Sequence, residues 1–310
     1  MASLKKSHAS SGSSHSKAAK FKRYLPLYLM FLPGALYLLM DKYIPMSGLI
    51  IAFKKVNWRK GILASDWVGF SNFTYLFKTK DAFNITRNTL LYNLCFIVLG
   101  TVIAITIAIL LNEITSKLFK QVYQTIILMP YLISIVVVSY LVFAMLSSES
   151  GFINNTIFKA LGINPISWYT EPKYWPFILV IVHIWKVFGY DCILYYATLV
   201  GIDHGYYEAA VIDGANRWQQ FWHITLPQLR PTTFFVVIML TISGFKVYDQ
   251  MYMITQGGPG NATMTLVYYI YNVAFVNTPK YGYASAVSMV LFVLVLFVTI
   301  IQFKGSSSND

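Results

Sequence analysis

Long apolar runs limit what this chain can become. They lie at roughly 24–52, 86–112, 121–146, 175–202, 232–256 and 282–303. A run of about 20 apolar residues matches a helix crossing about 30 Å of hydrocarbon. Charged residues are 12% of the 310-residue chain and apolar residues 56%. A soluble domain has about 25% charged residues. The expected fold class is all-α, a polytopic membrane bundle of six transmembrane helices, with few residues left for soluble domains.

The flanking segments fit that plan. Residues 1–20 are rich in Ser, Lys and His and low in complexity, so disorder is expected there. The stretch 1–23 reads as a basic tail, 24–304 as the membrane domain and 305–310 as a second tail. A signal peptide would need a shorter apolar core and a small-residue cleavage site, so the run to residue 52 reads as span one. Asp41 and Lys42 interrupt it, and Pro33 and Pro45 should bend it. Asp41 and Lys42 are assigned to structure or partner packing. Cys95 and Cys192 both sit in apolar runs and read as small core residues, not as a disulfide or a metal site. The net charge of +12 suits an anionic membrane surface. It is scattered over short loops, which argues against nucleic-acid binding.

Basic-residue counting does not orient the bundle. The N-terminal tail carries Lys5, Lys6, Lys17, Lys20, Lys22 and Arg23. The segment on the other side of span one carries Lys54, Lys55, Arg59, Lys60, Lys78, Lys80 and Arg87. The positive-inside rule is therefore nearly tied. Two other segments look like short interfacial helices: 67–79, with Trp67, Phe70, Phe73 and Phe77 at near-helical spacing, and the aromatic-rich 262–276. No repeat of 20–50 residues is visible, nor an inverted half-repeat.

Residues 206–231 form a polar, helix-prone island between two apolar runs. Asp203 is placed to cap a helix start. Glu208 is expected in the first turn, where a negative charge suits the helix dipole, and Ala209-Ala210 favour helix. Gly214 permits a turn. A second helical stretch should carry Trp218, Phe221 and Trp222, and Pro227 and Pro231 mark the start of span five. Two readings follow: a helical hairpin docking in a groove on another protein, or an amphipathic loop in the lipid headgroups.

The spacing of Glu208-Ala209-Ala210, Asp213-Gly214, Ile224 and Leu226-Pro227 closely resembles the EAA loop of ABC importer permeases. Tyr43-Ile-Pro-Met46, Arg87-Asn-Thr-Leu90, Met129-Pro130, and Phe245 to Thr255 followed by Gly257-Gly258-Pro259 resemble the carbohydrate group related to the MalF subunit, LplB-type permeases in particular. The resemblance covers the chain from about residue 24. It implies the type I ABC importer permease fold and a function as the transmembrane permease that moves sugars, oligosaccharides especially, by ATP-driven alternating access. It implies three partners besides membrane lipid: a second, MalG-like permease chain, a dimer of ATPase subunits, and an extracellular solute-binding protein. This chain would be no enzyme and bind no cofactor, with ATP and Mg used by the ATPase. The absence of a G-x-x-x-x-G-K-[ST] motif agrees. The location implied is the plasma membrane of a bacterium, multi-pass. A cytoplasmic 206–227 loop would put both termini in the cytoplasm. The large external insertion of MalF is lacking.

Polar groups inside spans are costly and tend to face a cavity. Span four offers His183, Trp185, Lys186, Tyr190 and Asp191; span five offers Lys246, Tyr248 and Asp249. By resemblance, Val187, Tyr190, Gly244 and Val247 match the substrate-contacting positions of MalF. Gly244 and Val247 replace polar residues there, and Lys246 could substitute. The alternative is that Lys186, Asp191, Lys246 and Asp249 form ion pairs that hold the bundle. Gly257-Gly258-Pro259-Gly260 reads as an outer turn near the docked binding protein, or simply as a tight turn. Arg59-Lys60 could attract an acidic sugar such as a uronate oligosaccharide; lipid phosphate explains it equally.

Competing functions are a secondary transporter or channel, which leaves the island unexplained, and a membrane enzyme acting on lipid-linked sugars. For the enzyme, His183 and Asp191 could share a helical face about two turns apart, but they form no recognisable triad or metal set.

Overall fold

The computed structural model describes residues 17–276 and 278–307. The expected disorder of 1–16 and the tail residues 308–310 lie outside them. Among the described residues, five helices are long and apolar enough to cross a membrane, and a sixth apolar segment is a bent pair. Strand among the described residues is limited to one antiparallel pairing of Lys54–Lys55 with Asp66–Trp67. The chain divides into two units at Ile50/Ile51.

In the first unit, the helix Lys17–Leu38 starts inside the stretch expected to be tail, and it contains Pro26 and Pro33. Asp41 and Lys42 sit in a π-helical turn, Leu39–Tyr43, and Pro45 follows in the first turn of Ile44–Met46. One extra residue per turn lets the helix absorb the polar pair without ending.

The second unit centres on two long helices, Lys80–Glu113 and Trp175–Val200, which pack along each other. Two further helices approach this pair closely, each at a glycine. A Cβ on Gly189 would overlap the carbonyl oxygen of Ile127 in the helix Lys117–Leu132. A Cβ on Gly244 would overlap the side-chain oxygen of Asn93. Small residues that let backbones approach are the usual means of packing helices where lipid gives no hydrophobic drive.

The third apolar run differs from the single span expected over 121–146. It is two helices, Lys117–Leu132 and Ile135–Leu146, bent by 94°. Pro130 lies at the end of the first. Ser134 caps the second, its hydroxyl accepting from the Val137 N–H at 3.4 Å. A proline that ends one helix and a serine that starts the next give the bend a local cause.

Span five also differs from 232–256. Its helix Leu226–Gly244 ends at Gly244, and a separate short helix, Asp249–Thr255, follows. Gly257-Gly258-Pro259-Gly260 forms the turn after it. The segment expected as a second interfacial helix is instead core. Leu266–Tyr271 buries Leu266 and Tyr268, and the Leu266 N–H donates to the Thr89 hydroxyl at 2.9 Å. The other interfacial candidate is a helix over Ser71–Lys78. The last helix runs Tyr281–Ser307, past the expected boundary at 304.

Candidate functional site: an exposed helical hairpin

The island folds as two short helices joined by a turn. The first is His204–Ile212. Asp203 caps it as expected, its carboxylate accepting from the Gly205 N–H at 2.9 Å. Glu208 lies one turn further in than expected, since the helix already starts at His204. The helix stops at Gly214, whose φ is +78°. The Ala215 N–H donates to Ala210 O at 2.8 Å and the Gly214 N–H to Val211 O at 3.0 Å. That pair of bonds is the Schellman arrangement, which needs a left-handed residue at this place.

The second helix starts at Arg217 with a reciprocal cap. The Gln219 N–H donates to the Asn216 side chain at 2.9 Å, and the Asn216 N–H donates to the Gln219 side chain at 2.8 Å. Asn and Gln three apart satisfy two orphan donors at once. The Asn216-x-x-Gln219 spacing is the local sequence signal for this cap, beside the expected turn at Gly214. From Arg217 the helical path runs through Gly244, so the second half of the hairpin joins span five.

Three contacts tie the hairpin down. The Tyr207 hydroxyl meets the Thr225 hydroxyl at 2.9 Å, joining the two halves. Gln220 Nε2 donates to Ala215 O at 3.0 Å. Arg217 pairs with Glu113, at the end of the helix Lys80–Glu113, at 3.3 Å. Both partners of that pair are exposed, so it contributes little.

The hairpin shows large apolar side chains outward among its polar ones. Ile212 is 86% exposed, Trp218 68% and Val211 62%. Trp218, Phe221 and Trp222 pack together with ring centroids 5.3–5.8 Å apart. Glu208, Ala209 and Asp213 are exposed, and Ala210 is half-buried. Ile224 and Leu226 are half-buried and Pro227 exposed. Gly214 has no atom within 4 Å of where a Cβ would stand. Exposed apolar side chains on a well-capped turn suit a contact surface, for another protein or for lipid headgroups.

The hairpin marks one end of the spans. Trp222, Leu226 and Pro227 line a groove of about 760 Å³ together with Gln302 and Gly305, near the end of the last helix. Gln302 also donates to the Thr241 hydroxyl at 2.7 Å.

The second set of residues, in spans four and five, does not meet in one place in this chain. Lys186 Nζ donates to the carbonyls of Ile133 at 2.6 Å, Tyr131 at 3.2 Å and Pro130 at 3.5 Å. It therefore caps the 94° bend. Tyr190 is exposed and stacks on Tyr131 at 5.0 Å. Trp185 is exposed and lines an apolar groove with Val138, Val142 and Ile181. Val187 packs into the cluster of Cys192, Tyr195 and Leu240, whereas Val247 packs with Met251 and Leu266. Tyr248 joins a stack with Tyr252, Tyr268 and Tyr271. Gly244 is buried against Asn93, while Lys246 and Asp249 are exposed.

The ion-pair alternative for the four charges fails. Among the described residues the ion pairs are Lys60–Asp66, Lys173–Glu171 and Arg217–Glu113. Asp191 is 6% exposed and has no ion pair there. His183 does not face Asp191 chemically; its Nδ1 lies 2.9 Å from Gln250 Oε1, and Gln250 Nε2 donates to Leu179 O at 2.9 Å. Phe96 stacks on the imidazole at 3.7 Å. This is a half-buried histidine held by Gln250 and Phe96. No cluster of metal-ligating side chains occurs among the described residues.

The class so defined is a polytopic helical membrane protein with a rigid, apolar-tipped hairpin at one end of its spans. The chain belongs to the family described as binding-protein-dependent transport system inner membrane component, whose sequence pattern matches residues 97–304. It is a permease subunit of an ABC importer with the type I fold, a family in which ATP hydrolysis belongs to a separate subunit. Protein LplB of Bacillus subtilis strain 168 is 34% identical over 273 residues, covering 87% of this chain and 85% of LplB. The polygalacturonan/rhamnogalacturonan transport system permease protein YteP of the same organism is 33% identical over 264 residues, 85% of this chain and 82% of YteP. The crystal structure of a bacterial alginate ABC transporter with an alginate pentasaccharide-bound periplasmic protein superposes with a TM-score of 0.81. The identity there is 30%, over 91% of this chain and 94% of that one.

Proposed function

We propose that this permease carries oligosaccharides inward and that the hairpin 204–225 is its docking piece on a cytosolic ATPase. The observation that carries the reading is the exposed Val211, Ile212 and Trp218 on a turn fixed by the Schellman bonds at Gly214 and the Asn216–Gln219 cap. Such a surface suits a helix that seats in a groove of another protein and moves with it.

The substrate class follows the relatives. Their names place polygalacturonan, lactose, trehalose/maltose and arabinooligosaccharides in permeases of 30–35% identity. A second permease chain would complete the pathway, since the Val187 and Val247 positions stay apart in one chain. An ATPase pair would use ATP and Mg, and a solute-binding protein would deliver the sugar. With the hairpin in the cytosol, the last helix also ends there, because Gln302 lies beside the hairpin groove. The six apolar segments then put the N-terminus on the same side, in the plasma membrane of a bacterium.

The test is sugar uptake and ATPase activity in the complex reconstituted with Ile212→Asp or Gly214→Val. Both should lose sugar-stimulated hydrolysis and uptake by more than about tenfold, as expected for a core interface residue, with membrane insertion unchanged. Unaltered activity in both would remove the docking assignment.

A further inference from the structure

The groove beside the hairpin has two unlike ends. On the helix Leu226–Gly244 its wall is Leu226, Arg230, Phe234 and Val237. Their spacing of four, four and three places them on one helical face. Gln302 and Gly305, three apart on the last helix, line the facing wall. The two walls meet where the Phe303 ring stands edge-on to Phe234 at 5.3 Å. From Leu226 to Val237 the stripe runs about 16 Å along the axis. It leads from the level of the hairpin into a helix of membrane-spanning length.

The hairpin end is cationic and aromatic. Arg230 is exposed there and Trp222 is 49% exposed. The Arg230 guanidinium has no ion pair or hydrogen-bond partner among the described residues. The deeper end is Phe234 and Val237, with one hydroxyl from Thr233. Lys304, also exposed, falls between Gln302 and Gly305 in sequence but does not line the groove.

We infer that this groove is a binding site for an anionic phospholipid of the hairpin-side leaflet, its phosphate on Arg230 and one acyl chain along Phe234 and Val237. A guanidinium presents forked donors that match phosphate oxygens. A zwitterionic headgroup carries its own ammonium, which opposes the same guanidinium. The indole of Trp222 stands at headgroup level, where tryptophans gather. An apolar stripe that continues from a cation into the bilayer matches an amphipathic molecule end for end. A soluble protein could cover the Arg230 end but could not follow the stripe into hydrocarbon. The inference needs only that the hairpin lie at a membrane surface, and it holds whichever body covers the hairpin tip.

The experiment uses the purified full-length chain in detergent, without ATPase, so its outcome is separate from the docking reading. Dioleoyl phosphatidylglycerol and dioleoyl phosphatidylcholine are titrated and bound lipid is counted by native mass spectrometry. Phosphatidylglycerol should bind at least about tenfold tighter. Arg230→Gln should lose about tenfold for it, the scale of a lost charge-assisted contact, and Arg230→Lys should lose less. Lys304→Gln should change little. Inorganic phosphate and glycerophosphoglycerol, which lack acyl chains, should not compete. Bound phosphatidylglycerol should raise the thermal midpoint of the wild type and not of Arg230→Gln. Equal binding of the two lipids, or an unchanged Arg230→Gln, would overturn the proposal. So would a loss in Lys304→Gln as large as in Arg230→Gln, which means diffuse surface charge, or full competition by phosphate, which means a free-anion site. Arg230→Gln that weakens ATPase binding in the assembled complex while keeping phosphatidylglycerol would give this face to the protein partner instead.

Discussion

The ammonium of Lys186 sits 2.6 Å from the carbonyl oxygen of Ile133, across 53 positions of sequence. It fills the place that the lost backbone donors leave where two helices part at 94°. Unsatisfied carbonyls at membrane depth are costly. One lysine serves the Tyr131 and Ile133 carbonyls, and reaches Pro130 O, which also accepts from the Ile133 N–H; it links span four to the bend.

Replacing Lys186 by Met should therefore loosen the bend. The loss expected is about 1 kcal/mol, the scale of a net hydrogen bond, since these bonds are part-buried or exposed. The measurement is the apparent thermal midpoint of the purified protein in detergent, which should fall by several degrees. Lys186→Arg should fall less, because its guanidinium still donates.

Gly189 and Gly244 should respond differently to a single methyl. At Gly189 the obstacle is the Ile127 backbone, which cannot move aside alone, so Gly189→Ala should cost at least about 1–3 kcal/mol. At Gly244 the obstacle is the Asn93 side chain. Gly244→Ala should be the milder change, and Asn93→Ala should rescue it. Thermal midpoints of the three variants read the difference.

Thr241 and Gln302 make a part-buried cross-helix bond at 2.7 Å. Thr241→Val should cost more than the double change Thr241→Val/Gln302→Leu. The single variant strands a polar group, at about 1–3 kcal/mol, while removing both partners is nearly neutral. A double-mutant cycle on thermal stability measures the coupling.

The hairpin's internal joint is Tyr207 to Thr225. Tyr207→Phe should cost about 0.5–1.5 kcal/mol. It should lower ATPase coupling without altering membrane insertion. Arg217→Gln should do little, since an exposed pair contributes about 0–1 kcal/mol.

Much of this arrangement was legible in the chain because its signals are local. Asp203 as a cap, Gly214 as a left-handed stop, and apolar runs of span length all act within a few residues. The bend at 133–134 was half legible: Pro130 and Ser134 are local signs, but a 121–146 run reads as one span by composition. Lys186, Asn93 and Gln302 were not legible in the same way. Their partners lie dozens of positions away, and a lysine in an apolar helix has the same sequence appearance whether it faces cargo, a carboxylate or a kinked backbone. The 262–276 segment was misread because its aromatic residues suit both an interface and a core, and only the packing against Thr89 and the last helix decides between them.

The central claim is that the hairpin faces the cytosol and is covered by an ATPase. Ile212→Cys tests it most directly, with the wild-type chain, whose Cys192 is buried and Cys95 half-buried, as the baseline. A membrane-impermeant maleimide should label Cys at 212 in inverted membrane vesicles and not in intact spheroplasts, and bound ATPase should protect it. Labelling from the outside, or labelling unchanged by the ATPase, would contradict the account.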